Sequence, residues 1–246
     1  MTTVTDYSEF ISLHKRYPCR LSNDFLTPGE IRKLIAYGKL RCTADERALF
    51  LFERRHGFCK LIFRLQDVSA RLAPCGEPLA AFLVYREGSP PETAADWLRG
   101  QGFRHAATLL RHTAKKINAE LTSDGVGRAS ADEAYALFSD YFGAAEADMP
   151  CRELFESAFC VRSDNGKAAG ILYADRQTRL MAVLPEARRR GLARKLYLAY
   201  AAGEMEKNQN AVLHEWIRPD NAASLQMFDT LGFTRDGAMA DCYLLE

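Results

Sequence analysis

Val183-Leu-Pro-Glu-Ala-Arg-Arg-Arg-Gly-Leu-Ala-Arg-Lys-Leu196 is the stretch on which the reading of this chain turns. The apolar run Arg179 to Val183 reads as a strand that stops at Leu184-Pro185. Three arginines follow, Arg188, Arg189 and Arg190, and then Gly191, Leu192, Ala193 and Arg194 open an amphipathic pattern running to about Lys207. A helix start leaves several N–H groups without partners and carries the positive end of the helix dipole, so it suits a phosphate. Gly191 lets an anion come close to the main chain, and Ala193 adds little bulk. The arginines raise the local positive potential without having to touch the ligand. Strand, loop and helix together predict a pyrophosphate site.

Outward from that loop the pattern is mixed α and β. Phe159 to Ser163 and Ala168 to Ala174 flank Asp164-Asn165-Gly166, a strong hairpin signal because Asn-Gly tolerates positive φ. A helix is predicted over Ala131 to Tyr141 with Ser130 as its cap, and a second helical segment around Cys151 to Ala158. After the loop come a strand over Ala211 to Ile217, a helix over Ala222 to Leu231 and a last strand over Cys242 to Leu245. Earlier in the chain, Thr27 caps a helix that Pro28 opens and that runs to about Lys39. Ala48 to Arg54 and Phe58 to Leu65 read as a hairpin around His56-Gly57, and Leu79 to Tyr85 as a strand. Glu92 to Gly100 reads as a helix, and Phe103 to Leu110 as strand or helix. The small, polar run Ile117 to Arg128 suggests a linker, giving two parts, 1–122 and 123–246.

The two parts carry a faint repeat. Gly232-Phe233 lies 130 positions after Gly102-Phe103, each pair following a helix that follows a strand. On that offset Leu79 to Tyr85 falls under Gln209 to Glu215, yet nothing in the first part matches the phosphate loop. A first copy of the same unit would therefore have lost its cofactor site.

Hydrophobic content of 48% and charged content of 26% are those of a soluble globular protein with a substantial core. A formal net charge of +1 gives no pull toward nucleic acid or membrane. No apolar run approaches the roughly 18 residues that span a bilayer. The first residues lack the order of a secretory signal, and seven cysteines without a C-x-x-C pair fit reduced thiols. A cytoplasmic location and no metal site are expected. Oligomeric state is not readable.

With the loop and the distal segment both in view, the second part resembles the GNAT superfamily of acyl-CoA-dependent N-acyltransferases. The family's R/Q-x-x-G-x-G/A signature is met by Arg188, Gly191 and Ala193. Its distal Asn, leading to a helix that ends in L-G-F, is met by Asn221 through Ser224 and Phe228 to Leu231-Gly232-Phe233. The match covers about residues 126 to 246. The resemblance implies an α/β (α+β) fold, a mostly antiparallel central sheet flanked by helices, preceded here by a smaller α/β domain. It also implies acetyl-CoA as acyl donor and a primary amine, of a small molecule or peptide, as acceptor. Main-chain N–H groups from Arg189 to Arg194 would hold the pyrophosphate, Ala182 and Val183 would pair with the pantetheine amides, and Asn221 would bond to that arm.

Of the remaining polar residues, Glu215 is the first candidate for a general base and His214 the second, on opposite faces of one strand. Tyr173 and Asp175 close the preceding hairpin and are candidates for substrate contact. Where the family often has a Tyr to protonate the departing thiolate, this chain has Phe228; Tyr243 or water could serve instead. Two classes of function stay open: an N-acetyltransferase working by direct attack in a ternary complex, and a non-catalytic acyl-CoA-binding or regulatory module.

Overall fold

A computed structural model describes residues 1–18, 21–142, 148–155, 158–174 and 179–246. The elements in chain order are β1 (Thr2–Thr3), α1 (Tyr7–His14), β2 (Leu21–Ser22), α2 (Pro28–Ala36), β3 (Leu40–Ala44), β4 (Ala48–Arg54) and β5 (Cys59–Leu65). Then come β6 (Leu79–Arg86), α3 (Glu92–Gly100), β7 (Arg104–Ala114), β8 (Gly127–Ala129), α4 (Ala131–Tyr141), β9 (Ala158–Arg162) and β10 (Ala168–Ala174). Last are β11 (Arg179–Val183), α5 (Leu192–Lys207), β12 (Leu213–Ile217), α6 (Ala222–Thr230) and β13 (Thr234–Leu245). They form two compact units. One comprises Met1–Thr108, Ala144–Leu154 and Met239–Glu246; the other comprises Leu109–Gly143 and Phe155–Ala238. The polar stretch Ile117 to Arg128 lies inside the second unit.

In the first unit, strands run in the order β1-β3-β4-β5-β6, antiparallel except for the parallel pair β5–β6. From Ala48 to Phe52, β4 is an unbroken apolar run because both of its faces are covered. Phe50 and Phe52 meet Phe63 of β5 and Trp97 and Leu98 of α3, while Leu49 and Leu51 meet Phe10, Ile31 and Leu34 of α1 and α2. α2 starts where sequence predicts, with Thr27 and Glu30 in a reciprocal capping box.

In the second unit a four-stranded antiparallel sheet has the order β11-β10-β9-β8, and β12 pairs antiparallel with the Leu110–Ala114 end of β7. α5 packs Leu196, Tyr197 and Tyr200 against Val161 and Leu172 of that sheet and against Leu213, Phe228 and Phe233. Phe138 of α4 packs with Phe155, whose ring lies tilted 4.4 Å from that of Tyr173.

The repeat is structural. In hairpins β4–β5 and β10–β11 the registers coincide at an offset of 120 positions: Arg54 faces Cys59 as Ala174 faces Arg179, and Phe50 faces Phe63 as Gly170 faces Val183. α3 and α6 are nine-residue helices offset by 130. Each ends in a left-handed glycine, Gly102 at φ 94° and Gly232 at φ 90°. The Phe103 N–H donates to Leu98 O at 3.1 Å, as the Phe233 N–H donates to Phe228 O at 3.0 Å.

Two expectations need correction, and one alternative is decided. Among the described residues of the segment expected to be helical around Cys151 to Ala158, Arg152–Leu154 form a 3-10 turn and Ala158 already begins β9. Phe103 to Leu110, read as strand or helix, is strand from Arg104 onward, as part of β7. The last strand starts at Thr234, eight residues earlier than its apolar end Cys242 suggested, since Asp236-Gly237 lies within the strand rather than in a turn.

Candidate active site: the β11 edge and the α5 loop

Alternation along β11 decides which main-chain groups are offered. The Leu184 N–H donates to Ala169 O at 2.9 Å, and Ile171 faces Ala182. In an antiparallel ladder, Leu180, Ala182 and Leu184 therefore spend their groups on β10, while Met181 and Val183 point theirs the other way. Of the predicted pair, Val183 lies on the open edge and Ala182 does not; Met181 is the outward position that the sequence reading missed. The Val183 carbonyl accepts from Arg188 Nε at 3.2 Å and from the Tyr141 hydroxyl at 3.4 Å. Both are polar groups waiting at a strand edge where an extended, amide-bearing ligand could add itself.

The chain then turns through Pro185–Ala187 into a loop with two left-handed residues, Arg189 at φ 63° and Gly191 at φ 74°. An L residue such as Arg189 adopts that conformation at a cost of about 1–2 kcal/mol. The loop turns sharply into α5, whose first ladder bond is Lys195 N–H to Gly191 O at 3.0 Å. The N–H groups of Arg189 through Arg194 have no acceptor among the described residues. Arg189, Arg190 and Arg194 are exposed around them, whereas Arg188 braces the strand edge. A Cβ built on Gly191 meets nothing within 4 Å, so the space beside the loop is open to a ligand.

β11 and β12 belong to separate ladders, and one clasp joins them. Arg179 at the start of β11 donates from Nε to Glu215 at 2.7 Å and from Nη2 to the His214 carbonyl. Tyr197 of α5 donates to the same Glu215 carboxylate at 2.8 Å. Glu215 is 7% exposed, and L-H-E-W-I places it on the face of Leu213 and Ile217, which are buried with it. Burial pushes its carboxyl up, opposed by Arg179 and Tyr197. Burial would lower the Arg179 pKa, but Glu215, Tyr200 and Tyr197 together raise it. A guanidinium does not give up its proton, so Arg179 meets Glu215 as a cation. Burial and then the Glu215 charge also raise the Tyr197 phenol. His214, half-buried, is pushed down to about 4 by burial and by Arg179 and Arg111, and is neutral at pH 7.

The other predicted residues are placed as follows. Asn221 caps α6, its Oδ1 accepting the Ser224 N–H at 3.1 Å, and it is exposed. Phe228 is 5% exposed, its ring edge-on to Tyr197 at 4.8 Å and to Phe233 at 5.1 Å. Tyr173 is 1% exposed and belongs to the core. Tyr243 is 3% exposed in the apolar core of the first unit, edge-on to His105. Asp175 lies outside the described residues. Among the described residues no group of three or more His, Cys, Asp or Glu could hold a metal ion, and no helix is long and apolar enough to cross a membrane.

Residues 159–243 match the family model described as FR47-like protein. No curated protein matches the chain. Among solved structures, a tandem GNAT protein from the clavulanic acid biosynthesis pathway aligns over 100% of this chain and 97% of its own, with 11% identity and a TM-score of 0.56. A GNAT-family acetyltransferase from Colwellia psychrerythraea aligns over 100% and 99%, with 16% identity and a TM-score of 0.52. A GCN5-related N-acetyltransferase from Kribbella flavida aligns over 87% and 92%, with 16% identity and a TM-score of 0.53. The repeat in the chain, the tandem neighbour and the FR47-like match agree: this chain has the GNAT fold in tandem, with its FR47-like segment in the C-terminal half.

Proposed function

We propose that the chain is an acetyl-CoA-dependent N-acetyltransferase, with residues 123–246 as the transferase half and 1–122 as a copy without a cofactor site. One observation carries this reading: the outward strand edge at Met181 and Val183 leads directly into a left-handed loop and an uncapped helix start. The N–H groups of Arg189 through Arg194 would hold the diphosphate. The main chain of Met181 and Val183 would hold the pantetheine arm in the manner of an added strand, with Asn221 beside it. The coenzyme supplies the acyl thioester. The Val183 N–H is the group that would polarise its carbonyl, and close positioning of amine and thioester would supply most of the rate.

Glu215 does not suit the role of base, because its carboxylate is engaged by Arg179 and Tyr197; it suits that of a positioning residue that fixes β12 against β11. Tyr243, packed in an apolar core, does not suit a proton donor. An unassisted thiolate of pKa near 8.5 costs about 2 kcal/mol at pH 7, which catalysis tolerates. Without a strong base the site favours an amine that is already partly neutral. An α-amine near pKa 7.8 is neutral in more than about a tenth of molecules at pH 7, against roughly one lysine side chain in 2,500. A primary amine of a small molecule or a peptide α-amine is the acceptor class. The thiols described are all free, in keeping with a reducing cytoplasm.

A second reading, a non-catalytic acyl-CoA-binding module, is favoured by the apolar Phe228 and the buried Tyr243. Release of free CoA with a panel of amines separates the two. For the binding step, calorimetry with acetyl-CoA should give a saturable signal that Gly191→Glu abolishes. That variant should stay folded, since its side chain enters open space and its positive φ costs about 1–2 kcal/mol. Binding by the folded variant within tenfold of the native affinity would remove the loop from the site.

A further inference from the structure

The first unit holds a slot of the same build, and the chain itself fills it. β5 and β6 pair only at their starts, Cys59 with Leu79 and Lys60 with Ala80, after which their ladder stops. Leu61 and Phe63 lie 120 positions before Met181 and Val183 in a hairpin of matching register, so they are the outward positions of β5. Both are fully buried, and their outward main-chain groups need partners.

Asn23, 6% exposed, supplies them. Its Nδ2 donates to Leu61 O at 3.0 Å and to Phe82 O of β6 at 3.3 Å, and its Oδ1 accepts the Phe63 N–H at 2.7 Å. Its own N–H donates to Phe63 O at 3.3 Å. One carboxamide thus bridges both strands where their ladder has parted. Leu21 and Ser22 continue the contact as β2, facing Leu65 and Arg64. Asp24 clips the segment in place, its Oδ2 2.6 Å from His14 Nε2 and 3.2 Å from Arg64 Nη1. Burial opposes the ionised Asp24, but His14, the Leu26 N–H and Arg64 outweigh it and keep the carboxyl below its ordinary range. The crossover at 66–78 has no helix, whereas the corresponding crossover from β11 to β12 carries the left-handed loop and α5.

We infer that Leu21–Asp24 is an internal occupant of the N-terminal copy's arm slot, with the Asn23 amide standing where the second unit would take a pantetheine amide, so that the chain holds one acyl-CoA and not two. The inference rests on the β11 edge being the coenzyme slot. Native mass spectrometry with acetyl-CoA and with pantetheine alone, on the full chain and on Asn23→Ala, tests it together with hydrogen exchange. The native chain should bind one acetyl-CoA. Asn23→Ala should lower Tm and speed exchange of the Phe63 amide by about tenfold or more, with the acetyl-CoA stoichiometry and affinity unchanged.

Two equivalents bound by the native chain, or an Asn23→Ala chain with unaltered Phe63 protection, would overturn the inference. If that variant does not fold, the native protein decides: Phe63 must exchange with the slow β4–β5 amides, and exchange at the rate of exposed amides sinks the strap. A native chain that binds no acetyl-CoA while Asn23→Ala behaves as described removes the proposed function and leaves the strap as a closed slot, so the two readings fail separately.

Discussion

Glu215→Gln is the substitution that best separates a clasp from a catalytic base. Arg179 and Glu215 have side chains only 12% and 9% exposed, so neutralising one leaves the other charged and poorly solvated. Breaking a buried pair in this way costs about 3–5 kcal/mol. Glutamine keeps the shape and one hydrogen bond, worth about 1 kcal/mol, which leaves a loss of about 2–4 kcal/mol. For a chain of this size each kcal/mol moves Tm by about 2–4 °C, so Glu215→Gln should melt on the order of 10 °C lower. Activity measured well below the new Tm should fall only about threefold, and the pH–rate profile should keep its shape. Loss of a true general base costs 100- to 10,000-fold, by typical values. A Glu215→Gln protein with native Tm, activity down by more than about 100-fold and a missing ascending pH limb would refute the clasp.

The remaining predictions are narrower. Folded His214 is held near pKa 4 against an ordinary 6.5, so between those values the unfolded chain binds a proton that the folded chain refuses. Stability should therefore fall as pH drops from 6.5 toward 4, by on the order of 2 kcal/mol after discounting for partial exposure, and level off below that. Urea titrations of His214→Gln should lack this component; parallel pH curves for variant and native protein would contradict it. Phe228→Tyr buries a hydroxyl among the Tyr197 and Phe233 rings and should cost about 1–3 kcal/mol without raising kcat. A tenfold gain in kcat would show instead that this ring edge meets the thioester sulfur.

Much of the second unit could be read from local chemistry. Ser130 before an amphipathic run, Asn-Gly between two apolar strands, and Gly191 ahead of a helix are signals that act within a few residues. α4, β11 and α5 accordingly lie where the sequence places them. The first helix and β3 escaped, because eight and five residues of mixed polarity give little periodicity and owe their form to packing against β4. At the site, the loop was legible and the clasp was not. Glu215 could have been recognised as inward-facing from its alternation with Leu213 and Ile217. Its partners, however, come from Arg179 and Tyr197, 36 and 18 positions earlier in the chain, and only folding brings those together. Which main-chain groups of β11 point outward likewise depends on the register with β10, which no single strand encodes.

The closing strand also bears on how this protein is made. Met239–Glu246 belong to the same compact unit as Met1–Thr108, and Tyr243 sits among Trp97, Leu98 and Phe103. At 5–20 residues per second, translation reaches Met239 about 7–26 s after Thr108. Through that interval Met1–Thr108 lacks a wall of its own interior and offers the β13 side of β6 to chaperones or to neighbouring nascent chains. The half made first is therefore the half finished last, and a ribosome stalled shortly before residue 239 would release a polypeptide defective at its beginning.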